Sequence, residues 1–288
     1  MIDSLVREFW CSMDVLFEGT AILLTTILGA SIGSFLNVVV YRLPAGLSLT
    51  HPPSRCPTCL TPLRKRENVP IVGWLMLRGK CAHCGTAISV RYPVVELITA
   101  LLFLSLFLVF GFSLQTLGYW IFISFLLALA LIDMDTLTLD SRLMKSGLII
   151  GLAFQTTIAA TLTGTLSGTI QGFTWAVAGT VLGLWGLDIL TWVGRFFFGP
   201  NAMGGGDAKL LAVIGAWVGI KLMVLSCFLG CVVGSVFGLG AIALKVLKRG
   251  NPFPFGPFLA LGAILSVFYG DVIWSSYWML MGRLYGTV

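Results

Sequence analysis

The stretch LITALLFLSLFLVFGFSLQTLGYWIFISFLLALALI, residues 97–132, decides the class of fold, because it contains no charged residue. A helix that crosses the hydrocarbon core of a bilayer needs about 20 apolar residues, so this stretch is long enough for two crossings. Residues 19–41 and 146–187 also lack charge. Hydrophobic residues make up 57% of the chain and charged residues 10%, whereas soluble domains carry roughly 25% charged residues. The sequence therefore predicts a membrane protein with several membrane-crossing helices.

About eight such helices are predicted, which makes the fold an all-α polytopic membrane protein. Turn-forming residues such as TGTLSG at 163–168 and GPNAMGGGD at 199–207 separate the apolar segments. The predicted spans are residues 19–41, 93–111, 117–135, 143–163, 169–193, 208–225, 227–245 and 257–280.

Lysine and arginine fall mainly on one side of these spans. If the N-terminus is outside, the inside segments hold 15 of the 18 basic residues of the chain. Cytoplasmic loops carry such an excess, so this side is predicted to be cytoplasmic. The net charge of +6 then reflects membrane topology, and no nucleic-acid partner is predicted. The inside segments are residues 42–92, 136–145, 194–209 and 245–256.

Residues 1–18 place apolar side chains at helical spacing among four acidic residues and one arginine. This pattern predicts an amphipathic helix that lies on the membrane surface, with a frayed terminus as the alternative.

Glycines recur at four-residue spacing within several spans. Such spacing lets two helix backbones approach closely in lipid, so these glycines are interpreted as packing contacts and not as ligand sites. They are Gly29 and Gly33, Gly179 and Gly183, Gly215 and Gly219, and Gly230, Gly234 and Gly238.

Four cysteines in the long segment after the first span form the pattern C-x2-C-x21-C-x2-C: Cys56, Cys59, Cys81 and Cys84. This spacing is close to that of a zinc ribbon, in which each pair points two thiolates at one tetrahedral ion. Four sulfur ligands leave no position for a catalytic water, so a structural zinc is predicted. Two disulfides are the alternative, but they require an oxidising compartment. His83 could replace one cysteine, although a solvated histidine is the simpler interpretation.

Aspartates close to the predicted cytoplasmic ends of two spans are candidate functional residues, because ionisable groups are costly within a membrane. Asp133 and Asp135 end the third span, and Asp207 begins the sixth. Two carboxylates from different helices at one depth could share a proton and activate water. The alternative is that they are separate capping residues, as Asp207 would be at a helix N-terminus.

Several stretches resemble the bacterial type IV prepilin peptidases in order along most of the chain. The most specific of them is the glycine-x-glycine-aspartate motif in MGGGDAKLLAVIGAW. The five stretches are GASIGSFLNVVVYRLP (29–44), ISVRYPVVELITALLF (88–103), ALALIDMD (128–135), MGGGDAKLLAVIGAW (203–217) and PFGPFLALGAI (254–264).

The resemblance implies an intramembrane aspartic endopeptidase of the bacterial inner membrane, with its active site facing the cytoplasm. It would remove basic leaders from prepilins or pseudopilins on the cytoplasmic side of their hydrophobic helix. Its catalytic pair would be Asp133 and Asp207, with Asp135 as the alternate for Asp133. The supporting loop would be Gly204, Gly205, Gly206 and Lys209. Many relatives with a tetracysteine loop also methylate the new N-terminus with S-adenosylmethionine.

The predicted domains are residues 1–18 (interfacial segment), 19–41 (first span), 42–92 (cytoplasmic zinc-binding loop) and 93–288 (membrane-embedded peptidase). The chain departs from the family in reading Leu139–Asp140 where a proline-aspartate pair is usual, and in having Ala208 where an aromatic residue is common. The alternative function is a non-enzymatic secretion-system scaffold or a small ion-coupled transporter that uses Asp133, Asp188 and Asp207.

Overall fold

The computed structural model describes residues 2–198, 205–246 and 253–285. Within these ranges the secondary structure is helical, apart from turns and two isolated β-bridges. The α-helices are α1 (Ile2–Arg42), α2 (Val72–Met76), α3 (Arg91–Phe110), α4 (Leu114–Thr136), α5 (Ser141–Thr163), α6 (Leu166–Phe198), α7 (Gly205–Ala243) and α8 (Gly256–Tyr285), and a 3-10 helix covers Lys65–Asn68.

Every α-helix except α2 is long and apolar enough to cross a membrane, which gives seven candidate helices in the described part of the chain. The predicted all-α membrane fold is therefore confirmed. The backbone of α1 runs without a break through the predicted interfacial segment into the first span. The placement of residues 1–18 on the membrane surface stays a prediction, as do the predicted domain limits.

The chain folds as two compact units, one up to Trp120 and one from Ile121 onwards. In the first unit α1 packs antiparallel to α3 along one face of glycines. A Cβ atom on Gly29 would lie 2.7 Å from the Cα of Ala100, and a Cβ on Gly33 would lie 2.7 Å from the Cα of Glu96. Any side chain at either glycine would therefore push the two helices apart.

In the second unit, α7 is too long to be one straight crossing. Its 39 residues would extend about 58 Å, roughly twice the thickness of the hydrocarbon core. The helix is interrupted at Gly219, whose φ of 72° and ψ of 179° are essentially restricted to glycine. We call residues 205–218 the first limb of α7 and residues 220–243 its second limb.

The first limb packs antiparallel to α6 through backbone contacts at glycine. A Cβ on Gly179 would lie 2.6 Å from the carbonyl oxygen of Gly215, and a Cβ on Gly183 would lie 2.7 Å from that of Leu211. The predicted packing role of these three glycines is confirmed.

The second limb packs antiparallel to α8. A Cβ on Gly230 would lie 3.0 Å from the carbonyl oxygen of Phe258, and a Cβ on Gly262 would collide with that of Ser226. The first limb begins at the end of the bundle where α8 begins and runs to Gly219 at the other end. The second limb returns from Gly219 to the first end, so α7 crosses the bundle twice.

This hairpin agrees with the predicted number of eight crossings but corrects the predicted position of the turn. The turn was expected between residues 225 and 227, and Gly219 was expected to form, together with Gly215, a packing surface for another helix. The structure places the reversal at Gly219. The only charged residue near the break is Lys221, and the rest of the surrounding segment is apolar. The packing prediction also fails at Gly238, where a Cβ would meet no atom within 4 Å.

Trp217 forms the centre of the second unit, with 1% of its surface exposed. Its indole N–H donates a hydrogen bond of 2.8 Å to the carbonyl oxygen of Gly147 in α5. The rings of Phe122 in α4 and Phe154 in α5 lie with their centroids 5.2 Å from that of Trp217. A Cβ on Gly151 would lie 2.5 Å from the indole ring. Trp217 thus holds α4, α5 and the first limb of α7 together.

We expect Gly179→Val to destabilise the second unit, because its Cβ would lie 2.6 Å from the Gly215 carbonyl oxygen and neither backbone can yield easily. The loss should be about 1–3 kcal/mol, seen as a lower Tm of the purified protein in detergent. Gly238→Ala is the matched control, because it adds a Cβ in open space within a helix and should keep or raise Tm. Equal Tm values for Gly179→Val and the unaltered protein would contradict this packing.

Candidate active site

Asp133 occupies the last turn of α4 and is buried, with 6% of its surface exposed. Its Oδ2 accepts a hydrogen bond of 2.9 Å from the backbone N–H of Gly256, the first residue of α8. The first N–H groups of a helix have no partner within the helix and carry its positive dipole end. The N-terminus of α8 therefore fixes the orientation of the Asp133 carboxylate and partly compensates its burial.

Gly256 is required at this position on steric grounds. A Cβ on it would lie 2.7 Å from Oδ2 and 3.2 Å from Cγ of Asp133. Gly256 lies in the PFGPFLALGAI stretch, but no role was predicted for it from the sequence. The only local signal was a glycine-proline pair at the start of an apolar run, and the partner of that glycine lies 123 positions away in the chain.

Asp207 lies in the first turn of α7 and is also buried, with 8% of its surface exposed. It interacts electrostatically with Asp133. The two carboxylates come from α4 and from the first limb of α7, two elements that the contacts of Trp217 hold together. The structure therefore brings the predicted pair into one buried site.

The glycines before Asp207 let α7 begin close to the turn that follows α4. A Cβ on Gly206 would lie 3.2 Å from the Leu139 side chain, whereas one on Gly205 would meet no atom of the described residues within 4 Å. Gly204, the third glycine of the predicted supporting loop, lies outside the described residues. Lys209 is exposed on the outer side of the helix, while Ala208 is buried.

The structure separates the other acidic residues from this pair. Asp135 is exposed, because two positions along a helix turn a side chain to a different face. Asp140 caps α5 and accepts hydrogen bonds from the backbone N–H groups of Arg142 and Leu143, at 2.8 and 3.2 Å. Asp188 is exposed on α6, and does not share the buried environment of Asp133 and Asp207.

Two close, buried carboxylates have a defined chemical capability. Because ionising both is costly, such a pair retains one proton between them. The ionised member can take a proton from a water molecule while the protonated member donates to a carbonyl oxygen. The arrangement of Asp133 and Asp207 is suited to the hydrolysis of an amide bond.

A second candidate site, in the first unit, is formed by the four predicted cysteines. Their sulfur atoms all lie within 4.8 Å of one another. The Sγ atoms of Cys56 and Cys84 are 3.8 Å apart and those of Cys59 and Cys81 are 4.0 Å apart. Tetrahedral zinc with Zn–S distances of about 2.3 Å separates its sulfur ligands by about 3.8 Å, so the four side chains fit this ion.

The two cysteine pairs sit on matching backbone turns. The N–H of Leu60 donates to the carbonyl oxygen of Cys56 at 2.9 Å, and the N–H of Gly85 donates to that of Cys81 at 3.0 Å. Leu60 and Gly85 both have positive φ, 57° and 71°. The same turn is therefore used twice, and each copy directs two thiols to a common centre.

All four thiols are free of disulfides in the structure. The hydrogen bond of 3.3 Å between the Sγ of Cys84 and the hydroxyl of Thr86 lowers the pKa of Cys84 to about 6. The thiolate is the form that binds metal, so this environment favours ligation. His83 is exposed and is not part of the cluster of four.

Glu96 in α3 connects this unit's loop to its membrane-crossing helices. It is buried, and its Oε2 accepts a hydrogen bond of 2.6 Å from the backbone N–H of Ile71, the residue before α2. The indole N–H of Trp74 in turn donates to the carbonyl oxygen of Ile88 at 3.1 Å, between the second cysteine pair and α3. Glu96 thus attaches the loop to α3 through a hydrogen bond.

Comparisons with known proteins identify the family. Residues 27–110 match the bacterial peptidase A24 N-terminal domain, and residues 120–239 match the type IV leader peptidase family. A prepilin leader peptidase/N-methyltransferase of Stutzerimonas stutzeri is 36% identical and covers 94% of this chain and 96% of its own length. Proteins of the same name from Neisseria gonorrhoeae and Pseudomonas aeruginosa are also 36% identical, over 88% and 91% of this chain and 92% and 94% of their own lengths.

No solved structure matches the chain. The similarity to these relatives extends over nearly the whole length of both partners. The chain therefore belongs to the type IV leader peptidase family and is a multi-pass peptidase of bacterial membranes.

Proposed function

We propose that the chain is an intramembrane aspartic endopeptidase that cleaves the basic leader from type IV prepilins or pseudopilins. The observation that carries this proposal is that two carboxylates from different helices, Asp133 and Asp207, are both buried in an apolar helix bundle and interact electrostatically. The relatives' names supply the substrate class, because they are called prepilin leader peptidases. We propose that the reaction takes place on the cytoplasmic side of the inner membrane, because the segments on that side hold most of the basic residues.

In this mechanism Asp133 and Asp207 share one proton when substrate binds. The ionised carboxylate removes a proton from water as the oxygen of that water attacks the scissile carbonyl carbon. The protonated carboxylate donates its proton to the carbonyl oxygen, and a tetrahedral intermediate forms. Collapse of this intermediate breaks the C–N bond. The carboxylate that took the proton from water passes it to the leaving amine, and the other carboxylate takes a proton back from a hydroxyl of the intermediate, which restores the shared proton. The N–H of Gly256 keeps Asp133 aligned throughout, because it is fixed at the start of α8.

The loop of residues 42–92 is proposed to hold a structural zinc at Cys56, Cys59, Cys81 and Cys84. Zinc there supplies a covalent cross-link between the two cysteine turns and no open coordination position. Residues 93–288 are proposed as the peptidase domain. Lys209, exposed beside the buried pair, is proposed to anchor at the lipid headgroups.

The second activity in the relatives' names, N-methylation of the new N-terminus, is proposed for this chain as well. S-adenosylmethionine is the expected methyl donor. An apolar hollow of the second unit, lined by Trp175, Lys221 and Trp274 among others, does not fit this molecule, because no acidic side chain among the described residues lines it to bind the positive sulfonium. We therefore assign no residue to methyl transfer.

We expect Asp133→Asn and Asp207→Asn each to reduce prepilin cleavage by about 10²–10⁴-fold, because either change removes one partner of the proton-sharing pair. Asp135→Asn is the matched control on the same helix and should cleave normally, because Asp135 is exposed. The measurement is the rate at which each purified variant removes the leader from a prepilin. Each variant is first shown to have the same zinc content and Tm as the unaltered protein. An active Asp207→Asn protein would overturn the aspartic mechanism. An active Asp133→Asn protein with an inactive Asp135→Asn protein would reverse the assignment within α4.

We expect Gly256→Ala to lower kcat by about 10²-fold with little change in KM, because its Cβ would displace the Asp133 carboxylate and not the substrate. Gly238→Ala, which adds the same methyl group in open space, should leave kcat unchanged. A Gly256→Ala protein with unaltered kcat would show that the α8 N-terminus does not position Asp133.

We expect removal of zinc to increase the protease sensitivity of residues 42–92 while the helices of the second unit keep their Tm. The cause is the loss of the cross-link between two turns that have few other contacts. The checks are metal analysis, which should give one zinc per chain, and limited proteolysis with mass spectrometry. Cys59→Ser should reproduce the effect and Cys231→Ser should not. Unchanged loop cleavage after verified metal removal would contradict a structural zinc.

A further inference from the structure

The 3-10 helix and α2 present an unusual surface within the loop of the first unit. Four large apolar side chains, spaced at helical intervals, are between 45% and 68% exposed. We call this row the α2 apolar edge, and it consists of Val69, Val72, Leu75 and Met76. Other positions of α2 pack on the loop: Gly73 is buried against the carbonyl oxygen of Glu67, and Trp74 donates to the carbonyl oxygen of Ile88. The short helix therefore turns its apolar side away from its own unit.

The α2 apolar edge is flanked by positive charge. Exposed basic residues precede it in the 3-10 helix and follow it after α2, namely Arg64, Lys65, Arg66, Arg78 and Lys80. The two acidic residues of this region are already engaged, since Glu67 accepts from the backbone N–H of Arg64 at 3.0 Å and Glu96 accepts from that of Ile71. Apolar side chains bordered by lysine and arginine are typical of helices that bind the surface of an anionic membrane.

The position of α2 along α3 agrees with such a contact. The N–H of Ile71 reaches the side chain of Glu96, five residues into α3, which is about 7.5 Å along a helix. Trp74 hydrogen-bonds to Ile88, three residues before α3 begins. Because the 20 residues of α3 just match the hydrocarbon thickness, its first turns lie at the boundary between lipid tails and headgroups. The start of α2 is held at that boundary.

We propose that the α2 apolar edge and the basic residues beside it dock on anionic phospholipid headgroups. In the docked state Val72, Leu75 and Met76 enter the interface, and Lys65, Arg66 and Arg78 contact lipid phosphates. The docked α2 is connected to the metal-binding loop by the hydrogen bond between Trp74 and Ile88. It does not depend on the peptidase reaction proposed above.

The test is hydrogen exchange of the full-length, zinc-loaded protein in nanodiscs. One set of nanodiscs contains phosphatidylcholine alone, and the other contains equal amounts of phosphatidylcholine and phosphatidylglycerol. We expect the amides of residues 72–77 to exchange about tenfold more slowly in the anionic nanodiscs. The amides of the second cysteine turn, residues 81–86, serve as an internal reference and should exchange equally in both.

Two variants separate the charged from the apolar contribution. Lys65→Gln combined with Arg66→Gln should make the amides of residues 72–77 exchange at the same rate in the two kinds of nanodisc. Leu75→Gln combined with Met76→Gln should abolish the slowing of exchange in both kinds. Lys145→Gln, an exposed basic residue of α5, is the control and should behave as the unaltered protein. Zinc content shows that each variant retains the folded loop. Equal exchange in both lipids and in detergent would overturn the proposal, as would protection that appears only when a prepilin is added.

Discussion

The burial of two electrostatically interacting carboxylates, Asp133 and Asp207, is the constraint on which the second unit depends. Two carboxylates buried in an apolar bundle are costly unless their surroundings provide compensating groups. Three helix ends meet at this site: two supply the carboxylates, and the third supplies a compensating N–H group. The last turn of α4 supplies Asp133, the first turn of α7 supplies Asp207, and the first N–H of α8 binds Asp133. For α8 to begin at this place, the chain must return to it after leaving along the first limb of α7. The reversal at Gly219 makes that return possible within a single stretch of 39 helical residues.

The helices around this site pack mainly through close contacts between their backbones, and less through large side chains. Glycines of α6 meet the backbone of the first limb, and glycines of the second limb and of α8 meet each other's helices. In lipid there is little hydrophobic gain from joining two apolar helices, so close van der Waals contact has to provide the attraction. Trp217 is the exception, as a large side chain that reaches from α7 into the space left by Gly151.

Much of this architecture could be predicted from the sequence, because its signals are local. The uncharged run at 97–132, the glycine pairs and the cysteine spacing each depend on neighbours along the chain. The pairing of Asp133 rather than Asp135 with Asp207 could only be anticipated by resemblance, since both aspartates end the same apolar segment. The role of Gly256 could not be predicted, because it arises from a backbone N–H whose acceptor is distant in sequence. The turn at Gly219 was missed because a glycine in an apolar run is compatible with either close packing or reversal.

The interruption at Gly219 also separates the two limbs of α7 mechanically. A continuous helix transmits a shift at one end to the other through its ladder of backbone hydrogen bonds, and a residue with φ of 72° and ψ of 179° breaks that ladder. The first limb, which carries Asp207, packs against the glycines of α6, while the second limb packs on α8, whose first N–H binds Asp133. No continuous backbone ladder through α7 therefore joins the segment that carries Asp207 to the segment that packs on α8. A displacement of the second limb and α8 reaches Asp207 only through the packing between helices, and not along the axis of α7.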